Sequence, residues 1–483
     1  MNGVSKNKFI GSAIWKILES FSSKGISMIV SLILARLLTP DEFGVISVTA
    51  IFINFTDILL QGGFGTALIQ KKEIKQDDYS TVICISLGSA VVLYSVLFFG
   101  SPAIASYFEK PILESVMRVI GLTIFCQALG AVRTAVITRE MRFRELFVCT
   151  CISNVISGTI GVIMALLGFG VWALVFQQLS QQSFLTIILY FRVKIKVGFR
   201  FSVESFRTII PFSMKVLTSS MMSFAADSAF SVGIGKKYSL DDLAYYNKGG
   251  QFPRQFSLYT FGAISSVLLT ALSRHADDKE RLKQMVKKVH ITSNYIIFPL
   301  MMGLCCVAEP FIRVLLTDKW LPCIGILQWT CLYYAVTPIM LTNVQLHLAL
   351  GDGSMRIRQE AIRIVLMIGT LFAFIIFDSN VTQLACVQAL ITVVIALHSC
   401  IETQRSIGYS LFEQLKDNFS TLFCTLGMAV AVVLSGKLIQ QPFIELMLQI
   451  IVGVTVYVAL SALLKNAGFC TVWNIVNTRR KKA

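Results

Sequence analysis

Charged and catalytic residues are scarce in this chain. Only 14% of its 483 residues are Asp, Glu, Lys or Arg, and only four are histidine. Ordinary soluble domains are about 25% charged. The sequence has no HExxH, GxSxG or P-loop pattern, and its Asp-Asp pairs lack a second acidic pair at a spacing that suits Mg²⁺. The composition excludes a soluble globular protein, and the motifs give no support for an enzyme.

Metal motifs and a cleavable leader are also missing. The twelve cysteines lie mostly inside apolar runs, with no CxxC pair and no Cys/His spacing that suggests a metal, so we interpret them as small core residues. Lys6 and Lys8 precede an apolar start, but Lys16, Glu19 and Lys24 interrupt it before any small-residue cleavage site. We expect the first segment to stay in the protein, and we predict no cofactor or metal.

Long apolar runs dominate the rest of the sequence. Hydrophobic residues make up 55% of the chain, and the runs recur from Phe9 to Leu464, each long enough to cross roughly 30 Å of hydrocarbon as a helix. They lack the alternation of barrel strands, and only helices or closed barrels satisfy every backbone group in lipid. We therefore predict an all-α polytopic membrane protein with about fourteen transmembrane segments. These segments are 10–38, 42–69, 79–101, 113–137, 146–168, 170–191, 206–234, 243–272, 290–316, 324–350, 357–377, 381–404, 418–438 and 443–465.

The net charge of +16 is distributed unequally between alternate loops. About 26 basic residues fall in one set of loops and about seven in the other, which is the asymmetry of the positive-inside rule. The basic set includes 71–75, 139–144, 192–200, 274–288 and the tail 479–482. The sparse set is Arg36, Lys110, Lys236, Lys237, Arg313, Lys319 and Lys437. Membrane topology accounts for the positive net charge, so nucleic-acid binding is not needed to explain it. The same charge distribution predicts an inner-membrane protein with both termini in the cytoplasm.

Two short stretches recur in the second half of the chain. Residues 39–44 (TPDEFG) match 239–244 (SLDDLA), and residues 141–145 echo 355–359. They follow segments 1 and 7 and segments 4 and 10, which indicates a duplicated six-helix unit with a cavity between two bundles. The predicted domains are an N-terminal bundle at 1–192, a cytoplasmic linker at 193–205, a C-terminal bundle at 206–404, and two further helices with a basic tail at 405–483.

Segment 1 carries a polar stripe at membrane depth. Its polar residues fall within about a third of the helix circumference. The stripe consists of Ser12, Lys16, Glu19, Ser20, Ser23 and Ser27. One interpretation is a helix–helix seam in which Lys16 bonds Glu19. The other is the wall of a pathway, where intramembrane charges are commonly found. Lys215 in segment 7 lies close to the repeat position of Lys16, and two lysines at similar depth suggest a cationic cavity.

Other ionisable residues extend this hypothesis to further segments. The predicted substrate-binding residues are Lys16, Lys24, Arg133, Lys215, Lys248, Arg254 and Arg363. The predicted ion-coupling residues are Glu19, Asp57 and Asp227, with H⁺ or Na⁺ as the coupling ion. The alternative for these three acids is that they are partners that keep the lysines charged. The alternative for Arg118, Arg133, Lys248 and Arg363 is that each reaches toward a nearby interface. We also expect segment 8 to be broken at Gly249-Gly250 and Pro253.

Four stretches resemble the Wzx-type polysaccharide flippases, in particular the WzxC-like branch of colanic and teichuronic acid exporters. They are 34–44 (LARLLTPDEFG), 62–71 (GGFGTALIQK), 139–144 (REMRFR) and 168–174 (GFGVWAL). The resemblance implies the fold of the multidrug/oligosaccharidyl-lipid/polysaccharide superfamily, with twelve core helices plus two. The implied substrate is an oligosaccharide repeat unit on undecaprenyl diphosphate, flipped to the periplasmic leaflet by alternating access. A polysaccharide polymerase and chain-length machinery are the implied protein partners, and we expect a monomer among membrane lipids.

Three other functions are compatible with parts of this pattern. A drug or metabolite antiporter of the same superfamily is one, although a cationic cavity would repel a cationic drug. A lipid II flippase would need the same chemistry and differ only in the attached glycan. A membrane glycan polymerase or acyltransferase would need a large periplasmic loop or a catalytic His/Asp pair, and no predicted outer loop is longer than about 20 residues.

Overall fold

The chain folds into helices throughout the part that the structure describes. A computed structural model describes residues 3–65, 68, 74–194, 201–376, 379–439, 441–471 and 473, and no β-strand occurs among them. The α-helices are α1 Gly3–Leu37, α2 Pro40–Asp57, α3 Gln76–Tyr107, α4 Ile112–Ile120, α5 Thr123–Arg139, α6 Phe143–Leu166, α7 Val171–Arg192, α8 Val203–Lys237, α9 Leu240–Ser273, α10 Lys279–Cys306, α11 Ala308–Leu315, α12 Cys323–Ala349, α13 Ser354–Ile376, α14 Val381–Ile407, α15 Leu411–Gly436 and α16 Pro442–Leu463. A π-helix at Ile58–Gly65 continues α2, and a 3₁₀ turn at Asp318–Trp320 follows α11.

Within the described residues, each predicted segment overlaps one helix or two successive helices, and segment 42–69 comprises α2 and the π-helix. Segments 113–137 and 290–316 are each a pair, because the chain turns near Gly121 and at Val307. Among the described residues, nine helical stretches are long and apolar enough to cross a membrane. They are Pro40–Leu60, Gln76–Tyr107, Ile112–Arg139, Phe143–Leu166, Lys279–Cys306, Cys323–Ala349, Val381–Ile407, Leu411–Gly436 and Pro442–Leu463. The all-α, multi-pass membrane class is confirmed, and the number of fourteen crossings stays a prediction.

The helices form two compact units, 1–244 and 245–483. In unit 1, α6 packs against α1 and α7, and α5 packs against α3, α7 and the π-helix. An apolar cluster that includes Leu60, Val82, Ile124 and Val132 fills the space between α3, α5 and the π-helix. In unit 2, α12 packs against α10 and α14, and α15 packs against α10 and α16. The predicted domain boundaries stay a prediction, as does the linker, of which residues 195–200 lie outside the described part.

The repeated motif begins a helix at both of its positions. In the first copy, the backbone N–H of Thr39 donates to Glu42 Oε2 at 2.7 Å as α2 begins. In the second copy, the N–H of Asp242 donates to Ser239 Oγ at 3.0 Å as α9 begins. A hydroxyl residue before the helix and an acid three residues later bind the otherwise unpaired N–H groups of a first turn. The sequence match therefore reports a shared helix start.

Two glycines, in the motifs that resemble polysaccharide flippases, allow neighbouring segments of the chain to pack closely near the start of α2. A side chain at Gly44 would overlap the backbone oxygen of Leu240, the first residue of α9. Gly170 has a φ of +58°, and a Cβ there would lie 2.5 Å from Glu42 Oε1. Only glycine adopts that backbone region at little cost. The motifs at 39–44 and 168–174 therefore meet at one end of unit 1.

The expected break in segment 8 is wrong. Helix α9 runs without interruption through Gly249-Gly250, and Pro253 lies inside it. A Cβ at Gly249 would lie 2.9 Å from the backbone oxygen of Cys323. Gly249 therefore allows α9 and α12 to come into close contact within unit 2. Pro253 can remain inside the helix because neighbouring groups can satisfy the backbone carbonyl that a proline leaves unpaired.

We predict that Gly44→Ala destabilises the protein, because the added methyl group forces α2 away from the start of α9. Overpacking of this kind costs about 1–3 kcal/mol. Thermal unfolding of the purified protein should show a melting temperature lower by several degrees. Gly88→Ala is the matched control, because a Cβ on that α3 residue meets no atom within 4 Å. Equal melting temperatures for Gly44→Ala and the wild type would contradict this account of the motif.

Candidate functional site

The polar stripe on α1 is in part a seam against α6. Glu19 is only 9% exposed and lies near Cys151. One turn later, Asn154 Nδ2 donates to Ser23 Oγ at 2.9 Å, and Gln181 of α7 donates to the Asn154 oxygen. Lys24, further around the helix, is exposed. The structure thus supports the seam interpretation at Ser23, while Lys16 lies on α1 with its side chain outside the described part.

Asp57 is the last residue of α2 and directly precedes the π-helix Ile58–Gly65. Its side chain is half-buried. A π-helical stretch is rare and occurs frequently at functional sites. Nothing in the sequence predicts this π-helix apart from Gly62 and Gly63, which lie within it. The structure therefore places the predicted coupling residue Asp57 at an irregular point of the first unit.

Arg133 is buried in unit 1. It lies on α5 and is 7% exposed. Its guanidinium carbon lies 4.5 Å from the ring centre of Tyr190, and Nη1 donates to the Leu129 carbonyl of its own helix at 3.1 Å. Nε is buried with no hydrogen-bond partner. The described contacts of this guanidinium are thus one aromatic ring and one backbone carbonyl.

The three predicted cations of unit 2 have different surroundings. Lys248 on α9 is 5% exposed, with its Nζ 5.8 Å from the Trp320 ring centre. Arg254, on the same helix, is exposed. Arg363 on α13 forms an ion pair with Glu360 one turn away, with an Nε–Oε2 distance of 3.2 Å. Its positive charge is therefore balanced within its own helix.

The described site residues thus fall on five helices, α1, α2 and α5 in unit 1 and α9 and α13 in unit 2. Lys215 and Asp227 lie on α8, and their side chains are outside the described part. Basic residues 71, 72, 196, 200 and 479–482 also lie outside it. The assignment of these residues to one cationic cavity remains a prediction.

A cavity of about 300 Å³ lies at the end of unit 1 that is predicted to face the cytoplasm. Its lining comprises Gln76, Tyr79, Val136, Glu140, Arg142, Val193 and Lys194. Arg142 donates to both oxygens of Glu145, at 2.7 and 2.6 Å, and to Glu140 at 2.9 Å. Because this guanidinium already donates hydrogen bonds to two carboxylates, Arg142 is not available as a phosphate ligand in the cavity.

Ion pairs connect three loops at the opposite, predicted outer end of unit 1. Lys110 Nζ lies 2.7 Å from Asp41 Oδ1, and Lys236 Nζ lies 2.9 Å from Glu109 Oε1. The hydrogen bond from Lys236 lowers the pKa of the Glu109 carboxyl. Burial, followed by repulsion from Asp41, raises the pKa of Asp241. The sequence shows these residues only as charged residues in loops, because nothing in it indicates that positions 41, 110 and 241 lie close together in the fold.

We predict that Asp241→Asn stabilises the protein at neutral pH. Since the pKa of Asp241 is raised in the folded state, its ionised form opposes folding, and stability is lost as pH rises toward that pKa. The variant should melt about 1–3 °C above the wild type at pH 7.5. This gain should vanish in acid, where wild-type Asp241 is protonated.

The control for this experiment is Asp242→Asn. Asp242 accepts a hydrogen bond from the Ser239 hydroxyl at 2.7 Å at the start of α9, so its substitution should not stabilise the protein. A wild-type melting curve for Asp241→Asn at every pH would show that the buried charge has no effect on stability.

Residues 33–325, more than half of the chain, match the family model described as "Polysaccharide biosynthesis protein". The succinoglycan biosynthesis transport protein ExoT of Rhizobium meliloti is 26% identical over 316 residues, which are 65% of this chain and 64% of that protein. The chain thus spans just under two thirds of that relative. The teichuronic acid biosynthesis protein TuaB of Bacillus subtilis is 23% identical over 80% of both chains. The lipopolysaccharide biosynthesis protein WzxC of Escherichia coli is 22% identical over 68% of this chain and 67% of that protein.

Two groups of solved structures share the fold. The lipid II flippase MurJ, in an inward closed conformation, superposes with a TM-score of 0.74 at 16% identity, covering 94% of this chain and 98% of that one. An inward-facing MATE-family multidrug transporter gives a TM-score of 0.63 at 13% identity, covering 81% and 94%. At these identities the likeness concerns the fold alone. The resemblance to polysaccharide flippases is confirmed at the level of the family, and the chain belongs to the polysaccharide biosynthesis protein family.

Proposed function

We propose that this protein moves undecaprenyl-diphosphate-linked oligosaccharide repeat units from the cytoplasmic to the periplasmic leaflet of the inner membrane, for the synthesis of a cell-surface polysaccharide. In this proposal the multi-pass chain acts as a transporter rather than as an enzyme, as the relative named for succinoglycan transport suggests. Relatives named for transport of succinoglycan and for biosynthesis of lipopolysaccharide support the substrate class. The fold shared with a lipid II flippase is compatible with a lipid-linked substrate.

The observation that carries the proposal is the environment of Arg133. A charged side chain inside a bilayer is costly and is normally paired. The described contacts of this guanidinium are the Tyr190 ring and one backbone carbonyl, neither of which carries a full negative charge. A planar guanidinium binds phosphate oxygens through paired hydrogen bonds, and its buried Nε is available for one of them. An anionic diphosphate would therefore supply the missing counter-charge.

The remaining predicted residues complete the proposal. Lys16, Lys24, Lys215, Lys248 and Arg254 would add positive charge along the path of the diphosphate. Arg363 is the weakest member, because Glu360 already balances it. Glu19, Asp57 and Asp227 would bind the coupling H⁺ or Na⁺. Alternating access would then expose the same cations to the cytoplasm and to the periplasm in turn.

In this proposal the protein acts as a monomer, and both of its termini are in the cytoplasm. It would receive its substrate at the cytoplasmic leaflet and deliver it to a polysaccharide polymerase and the chain-length machinery outside.

Drug or metabolite antiport is the competing function, because MATE-family transporters share the fold. The cations at membrane depth argue against cationic drugs as substrates, since like charges repel in a site of low dielectric constant.

We predict that cells lacking this protein accumulate the intact lipid-linked oligosaccharide on the cytoplasmic leaflet. Complementation with the wild-type gene should clear it, since the block lies after synthesis of the repeat unit and before polymerisation. Mass spectrometry of extracted undecaprenyl-linked lipids provides the measurement. If the amount of lipid-linked sugar is unchanged and the cells become more sensitive to small cationic compounds, the result would contradict the flippase function and favour the antiporter function.

We further predict that Arg133→Gln reduces export at least about tenfold, as expected when a hydrogen-bonded charge worth about 1.5–3 kcal/mol is lost. The measurement is polysaccharide export per molecule of protein in the membrane. Arg118→Gln is the matched control within the same span, because Arg118 already forms an ion pair with Glu114 at 2.8 Å. Equal export by the Arg133→Gln and Arg118→Gln variants would contradict a special role for Arg133.

A further inference from the structure

The two copies of the repeated motif meet at the predicted outer end of unit 1. Asp41 at the start of α2 and Asp241 at the start of α9 hold the same position in the two copies. The backbone of Leu240 leaves no room for a side chain at Gly44, so the first turns of α2 and α9 are in direct contact. The duplication therefore brings one carboxylate from each copy to the same contact.

The loop between α3 and α4 packs against this contact. A Cβ at Gly235, near the end of α8, would lie 3.1 Å from the ring of Phe108. Lys236 Nζ lies 2.9 Å from Glu109 Oε1 and 5.1 Å from the ring centre of Tyr107. Helix α8 also packs against α2, α3 and the π-helix. We call the three segments 39–44, 107–110 and 235–243 the outer latch.

A single lysine of the outer latch serves two carboxylates. Lys110 Nζ lies 2.7 Å from Asp41 Oδ1, and its charge also attracts Asp241. Asp241 is half-buried, and both Asp41 and Asp242 repel it. Burial and the repulsion from Asp41 raise the pKa of Asp241, so the attraction of Lys110 does not balance them. The contact is therefore more stable when Asp241 is neutral.

The other acids of the outer latch are stabilised as anions. Glu109 is paired with Lys236, Glu42 Oε2 accepts the N–H of Thr39 at 2.7 Å, and Asp242 accepts the hydroxyl of Ser239 at 2.7 Å. The exposed cations at the adjoining helix ends are Arg36 and Lys237. Among the described acids of this contact, Asp241 is thus the one whose pKa is raised.

From this geometry we infer that the outer latch responds to pH, with a neutral Asp241 favouring the closed contact and an ionised Asp241 favouring its separation. While Asp241 is neutral, Lys110 and Asp41 form a balanced pair. When Asp241 releases its proton to water at the outer face, two carboxylates share one lysine, and the α8–α9 turn separates from α2. As a control of transport, this inference rests on the proposed function. As a pH-dependent contact within unit 1, it does not.

The direction of the pH response follows from Asp241. Its pKa is raised while the latch is closed, and it returns to the ordinary aspartate range of about 3.9 once the segments separate. The closed latch is therefore most stable in acid and loses stability as pH rises from about 4 through the raised pKa. Each unit by which the two pKa values differ changes the closed-to-open ratio by about tenfold.

The test measures the distance between the two turns in the purified full chain, in lipid bilayer discs without any glycan. Spin labels replace Leu37 and Lys237, two exposed residues at equivalent positions in the two copies. A keto-bearing noncanonical amino acid carries each label, so the native cysteines stay in place. Pulsed electron paramagnetic resonance then gives the populations of short and long distances.

We expect the short distance to dominate at about pH 4.5 and the long distance to gain population by about pH 8. One distance distribution across this range would overturn the proposal. The same two labels are present in every variant, so their own effect on the contact is common to all samples.

Two substitutions test which groups are responsible. Asp241→Asn should keep the short distance at every pH, because an amide does not ionise. Lys110→Met should increase the long-distance population at about pH 8 beyond that of the wild type, because the shared counter-charge is lost. A pH response of Asp241→Asn equal to that of the wild type would assign the response to another group and overturn the proposal.

Asp242→Asn is the matched control, one residue further along α9. Its carboxylate accepts the Ser239 hydroxyl, so the variant should retain the pH response of the wild type. Loss of the response in both aspartate variants would show a general effect of charge at the start of α9 and contradict the assignment to Asp241. These distances are measured without substrate, so they test the latch even if the protein transports no glycan.

Discussion

The interior of a lipid bilayer provides no hydrogen-bond partners, and this constraint determines most of the structure. Every backbone group within a span must be paired inside the chain, so the apolar runs form helices. Hydroxyl side chains meet the same demand by bonding the preceding turn of their own helix. Ser153 bonds Cys149, Thr342 bonds Pro338 and Thr425 bonds Thr421, all through backbone oxygens. Serine and threonine can thus face a buried surface at little cost.

Polar groups that do not meet this demand are informative for the same reason. In unit 1, the guanidinium of Arg133 keeps an unpaired nitrogen against Tyr190. In unit 2, the side-chain oxygens of Asn294, Thr403 and Gln414 are buried with no hydrogen-bond partner. The ion pair between Lys110 and Asp41 lies instead at helix ends, where water and salt moderate its contribution. Unpaired polar atoms are thus buried in both units, whereas the side chains of the Lys110–Asp41 pair are about 40% exposed.

Much of the fold could be predicted from the sequence because hydropathy acts locally. Each apolar run contains the information that makes it a helix, and the motif at 39–44 contains its own helix start. The sequence could not show that segment 8 is continuous, because the role of Gly249 is set by Cys323, more than seventy residues away. Nor could it separate the seam residue Ser23 from exposed Lys24, since both belong to the polar part of α1 and only α6 distinguishes them.

The buried amide side chains of unit 2 show the same limit most clearly. Isolated polar residues within apolar runs include Asn294, Asn343 and Gln414. Each one alone is compatible with ordinary helix packing. Their meaning depends on which atoms remain unpaired after four helices have come together. Arg133, by contrast, could be singled out from the sequence because an arginine inside a span is unusual by itself. Its contact with Tyr190 required the structure.

The π-helix after Asp57 also has a consequence for how the length of this chain can vary. A residue removed from an ordinary span rotates everything that follows it by about 100°, which turns a buried face toward lipid. A π-helical stretch already contains an extra residue relative to the α-helix, and a deletion between Ile58 and Gly65 can be absorbed by a return to α-helical winding. The first unit thus has one place within a span where related chains can differ in length by a residue and still keep the same helix faces in contact.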